Sequence, residues 1–298
     1  MRIRVAQPDD APGVVALRAI VYPYLVRGIE STRKMLAEPP PHGGWAAFVA
    51  EVDGRVVGWT SAEPNASTSV PDFGNVNLLH VHPDHRRRGV GTALLTAATD
   101  HLRPLGVRRV RAMAQSDSLP FADRHGFSPS REVRYSALDL NPPPALPEPP
   151  PAVLLRPIAE LDPRLLYEAD VASAIDEPGD VPVDAVTFES WQYDVWDELG
   201  LDKTASTAAL VDGEVAAFSL VKRDGDRMWS NYTCSVPAYR GRGLARLAKT
   251  AALNRAAATG VRTAYTSNDE ANAPMLAINA RLGYRPVASQ WTCLADLT

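Results

Sequence analysis

Arg86-Arg87-Arg88-Gly89-Val90-Gly91 and Arg240-Gly241-Arg242-Gly243-Leu244-Ala245 are two copies of one pattern, Arg-x-x-Gly-x-[Gly/Ala]. Each copy follows a strand-like apolar run and opens an amphipathic helix. A chain that turns through glycine from a strand into a helix points several unbonded backbone N–H groups at one place, where the positive end of the helix dipole also lies. The pattern therefore predicts two anion sites suited to a pyrophosphate, and hence two copies of one coenzyme-binding unit.

The repetition extends beyond these motifs. Asp53-Gly54 and Asp212-Gly213 are each typical of a hairpin turn between two apolar strands. Gly126-Phe127 and Gly283-Tyr284 each follow a short helical stretch. The three landmarks occur in the same order, and the second set lies about 155 residues after the first. The sequence therefore predicts a tandem duplication.

A proline-rich segment separates the two copies. Residues 141–151 read Asn-Pro-Pro-Pro-Ala-Leu-Pro-Glu-Pro-Pro-Pro, and the seven prolines exclude a helix or a central strand. We predict an extended linker, with a ligand for a proline-binding module as the alternative. The expected domains are 1–140 and 152–298, and each is long enough for its own core.

Hydrophobic periodicity predicts the same order of elements in both copies: strand, two helices, three or four strands, helix, strand, helix, strand. The helices after the motifs are expected at Val90–Leu102 and Leu244–Ala258. A helix is also expected over Asp184–Leu199. The predicted fold class is α/β, with a mixed sheet in each copy.

Composition limits the classes of function. The 298 residues are 45% hydrophobic and 22% charged, with a net charge of −4, which is typical of a globular chain and argues against a general nucleic-acid binder. Cys234 and Cys293 have neither metal-ligand spacing nor a disulfide framework. We expect the chain to begin as a strand, without a signal peptide or a membrane-spanning run. We expect a cytoplasmic monomer or homodimer that binds a small molecule, without a metal, nucleic acid or membrane.

The motifs resemble those of the GCN5-related N-acetyltransferase (GNAT) superfamily. Its signature is [Arg/Gln]-x-x-Gly-x-[Gly/Ala] between a strand and a helix, followed by a Gly-Phe or Gly-Tyr turn after the fourth helix. The resemblance covers nearly the whole chain, in a layout similar to mycothiol synthase-type tandem acetyltransferases. It implies two acyl-CoA N-acyltransferase domains joined by the linker. It also implies acetyl-CoA, or another short acyl-CoA, as co-substrate, and direct attack by the amine of a small acceptor in a ternary complex.

The resemblance also implies where the coenzyme binds. The pyrophosphate would lie on the two motif loops, and the pantetheine arm would lie beside the end of the preceding strand. The coenzyme-binding residues implied are Leu79, His80, Val81, Arg86, Arg87, Arg88, Gly89, Val90 and Gly91 in copy one, and Thr233, Cys234, Ser235, Arg240, Gly241, Arg242, Gly243, Leu244, Ala245 and Asn272 in copy two.

The family's fourth helix often carries an Asn and, seven residues later, a Tyr that can protonate the leaving thiolate. These positions hold Asn272 and Asn279 in copy two, whereas copy one has Gln115 and Ala122. A tyrosine acid is therefore missing from both copies, and we expect copy two to contribute more activity.

An acceptor amine must lose a proton before it attacks, so a base is also needed. His80 is the candidate in copy one, with a packed strand histidine as the alternative. Tyr232 and Asn279 are the catalytic candidates in copy two.

An acidic stretch in residues 165–202 is a candidate binding surface for the acceptor substrate. No Lys or Arg occurs between Leu165 and Asp202. The family's first two helices flank the acceptor, so the resemblance implies an acidic, aromatic wall for a cationic amine, with Glu189, Trp191 and Asp194 as substrate-binding candidates. An ordinary solvated acidic helix is the alternative. Two other functions stay open: one domain is a degenerate structural or acyl-CoA-binding module, or neither domain turns over.

Overall fold

The computed structural model describes residues 1–297, which divide into two compact units. Unit 1 comprises Met1–Val133 and the C-terminal strand from Ser289, and unit 2 comprises Arg134–Ala288. The helices and strands of unit 1 are β1 (Arg2–Val5), α1 (Ala11–Val21), α2 (Ile29–Ala37), β2 (Ala46–Val52), β3 (Arg55–Pro64), β4 (Phe73–Val81), α3 (Val90–Leu102), β5 (Arg109–Gln115), α4 (Leu119–Arg124) and the first half of β6 (Ser128–Asp139).

Unit 2 repeats this order after the second half of β6. Its helices and strands are β7 (Val153–Pro157), α5 (Pro163–Ala174), α6 (Phe188–Trp191), β8 (Thr207–Val211), β9 (Glu214–Asp224), β10 (Arg227–Ser235), α7 (Leu244–Ala258), β11 (Thr263–Asp269), α8 (Ala273–Leu282) and the start of β12 (Arg285–Asp296). The helices after the two motifs have the predicted bounds, and the predicted mixed α/β fold class is confirmed.

The sheet of unit 1 has the order β1-β2-β3-β4-β5-β12, and that of unit 2 has the order β7-β8-β9-β10-β11-β6. The pairs β4/β5 and β10/β11 are parallel, and the other pairs with a described register are antiparallel. A parallel pair needs a crossover connection, which α3 provides in unit 1 and α7 in unit 2. In the sequence, each motif loop therefore follows the first strand of the parallel pair and precedes the crossover helix that leads to the second strand.

The compact units differ from the expected domains 1–140 and 152–298 at the last strand of each copy. Residues 290–296 of β12 pair with β5, so the end of the second copy belongs to unit 1. Cys293 and Ala295 of this strand are buried with Val110 and Phe127 in the core of unit 1. Leu138 of β6 is buried with Tyr284 in the core of unit 2. The exchange fills both cores with the apolar face of a strand from the other copy.

Both predicted hairpin turns are present. Asp53 and Gly54 have φ values of 49° and 73°, and Asp212 and Gly213 have φ values of 52° and 86°. Two successive residues with positive φ give the type I′ turn, whose twist matches that of the flanking strands.

Small residues bring the motif helices close to the sheets. A Cβ on Gly58 of β3 would lie 2.7 Å from Leu94 and 3.0 Å from Val90, both of which are buried on α3. In unit 2, Ala248 of α7 is buried in a cluster with Ala216 and Ala217 of β9. The start of each motif helix is thus fixed against the centre of its sheet.

Two segments outside the sheets bear on the predictions. Residues 141–151 form neither helix nor strand, and the Asn254 side-chain amide of α7 donates to Pro144 O at 2.8 Å. The helix expected over Asp184–Leu199 is wrong in length, because α6 covers Phe188–Trp191 and continues as a single π turn to Trp196. The side chain of Thr187 accepts from Ser190 N and caps this helix, so the preceding residues stay outside it.

Candidate functional site

The two parallel strands that flank each motif loop separate before they end. In unit 1, β4 and β5 pair only over Phe73–Val76 and Arg109–Ala112, although β4 continues to Val81. In unit 2, β10 and β11 pair over Arg227–Trp229 and then diverge. Beyond these points the edges of the two strands that face each other have no strand partner among residues 1–297. Each unit therefore has an open wedge whose backbone N–H and C=O groups can bind an amide-bearing chain such as pantetheine.

A β-bulge lies near the start of each wedge. One extra residue is present in β4 between Asn77 and His80, and another in β10 between Ser230 and Tyr232. Leu78 in the first bulge has a positive φ of 52°. A bulge increases the local twist and redirects side chains, which agrees with the loss of parallel pairing around it. These strand ends, which still pair with β3 or β9 on their other edge, contain the residues predicted to lie along pantetheine, namely Leu79, His80, Val81, Thr233, Cys234 and Ser235.

Each motif loop passes through two left-handed residues before its helix. They are Arg87 (φ 57°) and Gly89 (φ 82°) in unit 1, and Gly241 (φ 77°) and Gly243 (φ 75°) in unit 2. The first intrahelical bond of α3 runs from Ala93 N to Gly89 O at 3.0 Å. The N–H groups before it have no acceptor within the helix and are available to an anion.

Gly89 and Gly243 suit these loops because of their backbone conformation. A Cβ at Gly89 or Gly243 would meet no protein atom within 4 Å, so neither glycine relieves crowding inside the protein. The positive φ excludes β-branched residues there, and the open space in front of each Cα lets a phosphate oxygen reach the backbone.

The first arginine of each motif holds its own loop. Arg86 Nε donates to Val81 O at 3.2 Å, and Arg240 Nε donates to Ser235 O at 3.3 Å. Arg240 also forms an ion pair with Asp176. These two predicted coenzyme residues therefore fasten the loop to the end of the preceding strand and leave the backbone N–H groups of the loop available to an anion.

The other predicted loop residues fall into two groups. Arg87, Arg88 and Arg242 are exposed, so their guanidinium groups can move to a phosphate. Val90 and Leu244 are buried in the cores, and only their backbone N–H groups can face a ligand.

In unit 1, side chains from α4 and its approach lie near the first turn of α3. A Cβ on Gly91 would be 3.3 Å from the Phe121 ring and 3.8 Å from Leu79. Arg86 forms an ion pair with Asp117, just beyond β5, at 3.4 Å. This ion pair links the segments that follow the two splayed strands. In unit 2, by contrast, the equivalent Arg240 pairs with a residue that follows α5.

His80 is buried on β4 with 7% of its surface exposed. Its Nδ1 has no hydrogen-bond partner among residues 1–297, and its ring centroid lies 5.7 Å from that of Tyr22. Burial lowers the pKa of His80 to about 3, and the charges of Arg18 and Arg86 act in the same direction. So weak a base removes a proton from an ammonium group inefficiently, which favours the alternative of a packed strand histidine.

Tyr232 and Cys234 lie at the matching end of β10 in unit 2. Burial raises the pKa of both groups well above their usual ranges, so both keep their protons at neutral pH. Tyr232 can therefore donate a hydrogen bond but cannot serve as a base, and Cys234 is not a thiolate nucleophile.

Asp170 on α5 is a candidate that the sequence analysis missed. Trp191 Nε1 donates to its Oδ2 at 2.6 Å. Burial raises the pKa of Asp170 to about 6; the Trp191 hydrogen bond opposes this rise, and the charge of Glu177 adds to it. Leu166 and Ala169 are buried on the same helix. Helical periodicity could therefore have placed a carboxylate beside the buried face, one turn after Leu166.

The three substrate-binding candidates of the acidic stretch differ in exposure. Glu189 and Asp194 are exposed, whereas Trp191 is buried with 3% of its surface exposed. Glu198 forms an ion pair with Lys222, and Lys203 Nζ lies 4.3 Å from the centroid of the Trp196 ring. Cations from outside the stretch therefore neutralise part of it, because strand β9 and the segment after Asp202 pack against it.

The fourth-helix asparagines of unit 2 make internal hydrogen bonds. Asn272 Oδ1 accepts from Met275 N at 3.2 Å and caps α8. Asn279 is buried, its Oδ1 accepts from Lys249 Nζ at 2.7 Å, and its Nδ2 donates to Asn268 Oδ1 at 2.6 Å. These contacts favour a positioning role for Asn279. In unit 1 the equivalent Gln115 donates to Val21 O, at the end of α1.

Within residues 1–297, no group of three or more His, Cys, Asp or Glu side chains is arranged to hold a metal ion. No helix in this part of the chain is both long and apolar enough to cross a bilayer.

Comparison with known proteins agrees with this geometry. The model of the acetyltransferase (GNAT) family matches residues 17–127 and 172–284. The chain belongs to the acetyltransferase (GNAT) family. The family resemblance and the tandem arrangement inferred from the motifs are confirmed, and GNAT enzymes use acetyl-CoA as the acetyl donor.

Three relatives illustrate the similarity. A mycothiol acetyltransferase from Nocardiopsis dassonvillei is 28% identical over 284 residues, which cover 86% of this chain and 83% of the relative. A probable N-acetyltransferase from Mycobacterium tuberculosis is 32% identical over 111 residues, covering 33% of this chain and 63% of the relative. The crystal structure of a tandem GNAT protein from the clavulanic acid biosynthesis pathway has a TM-score of 0.75 and 21% identity, covering 99% of this chain and 98% of that one, which shows the shared fold.

Proposed function

We propose that this protein transfers an acetyl group from acetyl-CoA to the amine of a small, cationic acceptor by direct attack in a ternary complex, and that unit 2 holds the reacting site. The observation that carries the proposal is the wedge between β10 and β11, whose open end leads to the left-handed loop before α7. An anion-binding loop beside unpaired strand edges suits a long thioester that carries a pyrophosphate.

The residues present fit acetyl-CoA in a defined way. The backbone N–H groups of Gly241–Ala245 would hold the pyrophosphate, and the inner edge of Thr233–Ser235 would hold the amides of the pantetheine arm. Bound there, acetyl-CoA supplies an activated acetyl thioester. Because Tyr232 keeps its proton, its hydroxyl can donate a hydrogen bond towards a developing negative charge.

A second candidate function concerns unit 1. Phe121 lies over the first turn of α3, and Arg86 is paired with Asp117. The buried His80 is a weak base. These features favour a unit 1 that binds acyl-CoA weakly, or is structural, while unit 2 catalyses the reaction.

The test measures thiol release from acetyl-CoA by the full chain with a panel of amines that contains diamines, amino sugars and amino acids of either charge. Turnover of a cationic amine, lost in Gly243→Val and retained in Gly89→Val, supports the proposal. Acetyl-CoA binding without thiol release from any amine supports the acyl-CoA-binding function instead. Turnover that is lost only in Gly89→Val would place the reaction in unit 1.

A further inference from the structure

We propose that Asp170 binds the ammonium group of the acceptor in unit 2 and takes its proton, and that Arg18 at the equivalent position in unit 1 excludes the same acceptor there. This inference rests on the proposed function and names the residue through which unit 2 would select and activate its substrate.

Asp170 has the hydrogen-bonding capacity that this role needs. It is partly buried on α5, and only one of its carboxylate oxygens is used, because Oδ2 accepts from Trp191 Nε1. The other oxygen accepts no hydrogen bond from residues 1–297. The indole holds the carboxylate in one orientation and leaves an acceptor for a ligand's N–H. A buried carboxylate with unused acceptor capacity favours a cationic partner.

The surroundings of Asp170 suit an ammonium group with an apolar stem. Trp191 lies 5.8 Å from Tyr167 and 6.1 Å from Phe188, measured between ring centroids. The guanidinium of Arg164 already lies 4.2 Å from the centroid of the Phe188 ring, so a ligand's ammonium group would use the other ring faces beside the carboxylate.

The other charged and titratable groups near Asp170 do not compete for the role of base. Tyr232 and Cys234 on β10 keep their protons, and Arg240 is paired with Asp176. Glu177, which follows α5, raises the pKa of Asp170. With a pKa raised to about 6, Asp170 is ionised at neutral pH and is a stronger base than a solvated carboxylate.

The two copies carry opposite charges at this position. Asp10 precedes α1 and Asp162 caps α5, and Arg18 and Asp170 each follow these residues by eight positions. Arg18 is buried with 2% of its surface exposed, and its charge lowers the pKa of His80 on β4. Asp170 likewise acts on Tyr232 of β10. A fixed positive charge in unit 1 repels an ammonium group, whereas the carboxylate in unit 2 attracts it.

The proton balance of the reaction is complete. The R–NH3+ group gives one proton to the Asp170 carboxylate, and the R–NH2 nitrogen attacks the thioester carbonyl carbon. The C–S bond then breaks, and the sulfur takes the second proton from nitrogen, which leaves R–NH–CO–CH3 and the free thiol. Asp170 returns its proton to water, so the net products are amide, thiol and one proton.

The experiment compares Asp170→Asn with Glu168→Gln, an exposed carboxylate on the same helix, in the full chain. Asparagine retains an oxygen for the Trp191 N–H, so the fold is preserved, and acetyl-CoA affinity by calorimetry checks this. We expect Asp170→Asn to lower kcat/KM for the cationic amine by about 100-fold or more and to remove its acidic limb near pH 6. Glu168→Gln should match the parent.

Two further measurements distinguish a role of Asp170 as a base from a purely structural role. A weakly basic nucleophile such as hydroxylamine, which is largely unprotonated at neutral pH, should lose far less activity in Asp170→Asn than the cationic amine does. Trp191→Phe removes a hydrogen bond that favours the carboxylate, so the acidic limb should move to higher pH.

If the parent releases no thiol with any amine, the proposed function is overturned. If the parent still binds acetyl-CoA in that case, the proposed acetyl transfer fails while coenzyme binding stands. Turnover by the parent with an unchanged pH profile in Asp170→Asn overturns the role of Asp170. Acetylation of the same cationic amine by Gly243→Val, in which unit 1 alone keeps an intact loop, overturns the exclusion by Arg18.

Discussion

Lys249 Nζ donates a hydrogen bond to Asn279 Oδ1 at 2.7 Å in the interior of unit 2. Lys249 is 1% exposed, and its Nζ also lies 4.9 Å from the centroid of the Tyr284 ring. Burial lowers the pKa of Lys249 to about 7. The position expected from the family resemblance to hold a thiolate-protonating tyrosine therefore contacts a buried amine that is partly neutral at physiological pH.

Replacing this lysine should stabilise unit 2 in a pH-dependent way. Between about pH 7 and pH 10.5 the unfolded chain binds the Lys249 proton and the folded chain largely does not, so the free energy of unfolding of the parent rises with pH in this window. Lys249→Met removes that contribution. Its gain in Tm over the parent should be largest below pH 7 and shrink towards pH 10, as measured by thermal scans. A gain or loss that is constant with pH would contradict the lowered pKa.

The loop glycines should be needed for acetyl-CoA binding. Gly243→Val forces a β-branched residue to a φ of 75° and places its side chain where a phosphate would approach, so calorimetry should lose the binding event of unit 2. Gly225→Val is the matched control, because Gly225 has a φ of 60° in the β9–β10 turn and lies at the other end of β10. Both variants should lower Tm, whereas only the first should lose binding. If Gly243→Val binds acetyl-CoA with unchanged stoichiometry, the coenzyme does not bind at the loop before α7.

Opening unit 1 should strengthen its binding of acetyl-CoA. Phe121→Ala removes the ring that lies over the first turn of α3, so its effect is best measured by calorimetry in the Gly243→Val background, where unit 1 alone keeps an intact loop. We expect a several-fold lower Kd despite a lower Tm, since a ring that packs in the core is lost. An unchanged or weaker affinity would show that Phe121 supports the site instead of covering it.

The exposed carboxylates Asp194, in the π turn, and Asp197, which follows it, should attract a cationic amine through their electric field. Neutralising Asp194 and Asp197 together should raise KM for a cationic amine at low salt and leave kcat nearly unchanged, and the effect should fade at about 0.5 M salt. Glu198 stays intact because its ion pair with Lys222 stabilises the fold. Glu214→Gln with Asp224→Asn removes the same charge from the ends of β9 and is the control. Equal KM shifts in both variants would mean that only net charge matters.

Local sequence was sufficient to predict much of this protein. The Asp-Gly hairpins and the motif helices Val90–Leu102 and Leu244–Ala258 were predictable because turn chemistry and helical periodicity are short-range properties. The left-handed turns before the two motif helices were predictable for the same reason, since glycine tolerates the positive φ that Gly89 and Gly243 adopt. Phosphate binding by these loops stays a prediction.

Tertiary structure decided what lies around these loops. The exchange of β12 into unit 1, the Asp170–Trp191 hydrogen bond and the burial of Lys249 all depend on contacts between residues far apart in the chain. Burial also sets the pKa values of His80 and Asp170, because removing a group from water disfavours its charged form. The sequence by itself therefore determined the two motif loops and the tandem GNAT layout, and only the folded chain decided which side chains around those loops are buried and which protonation state they hold.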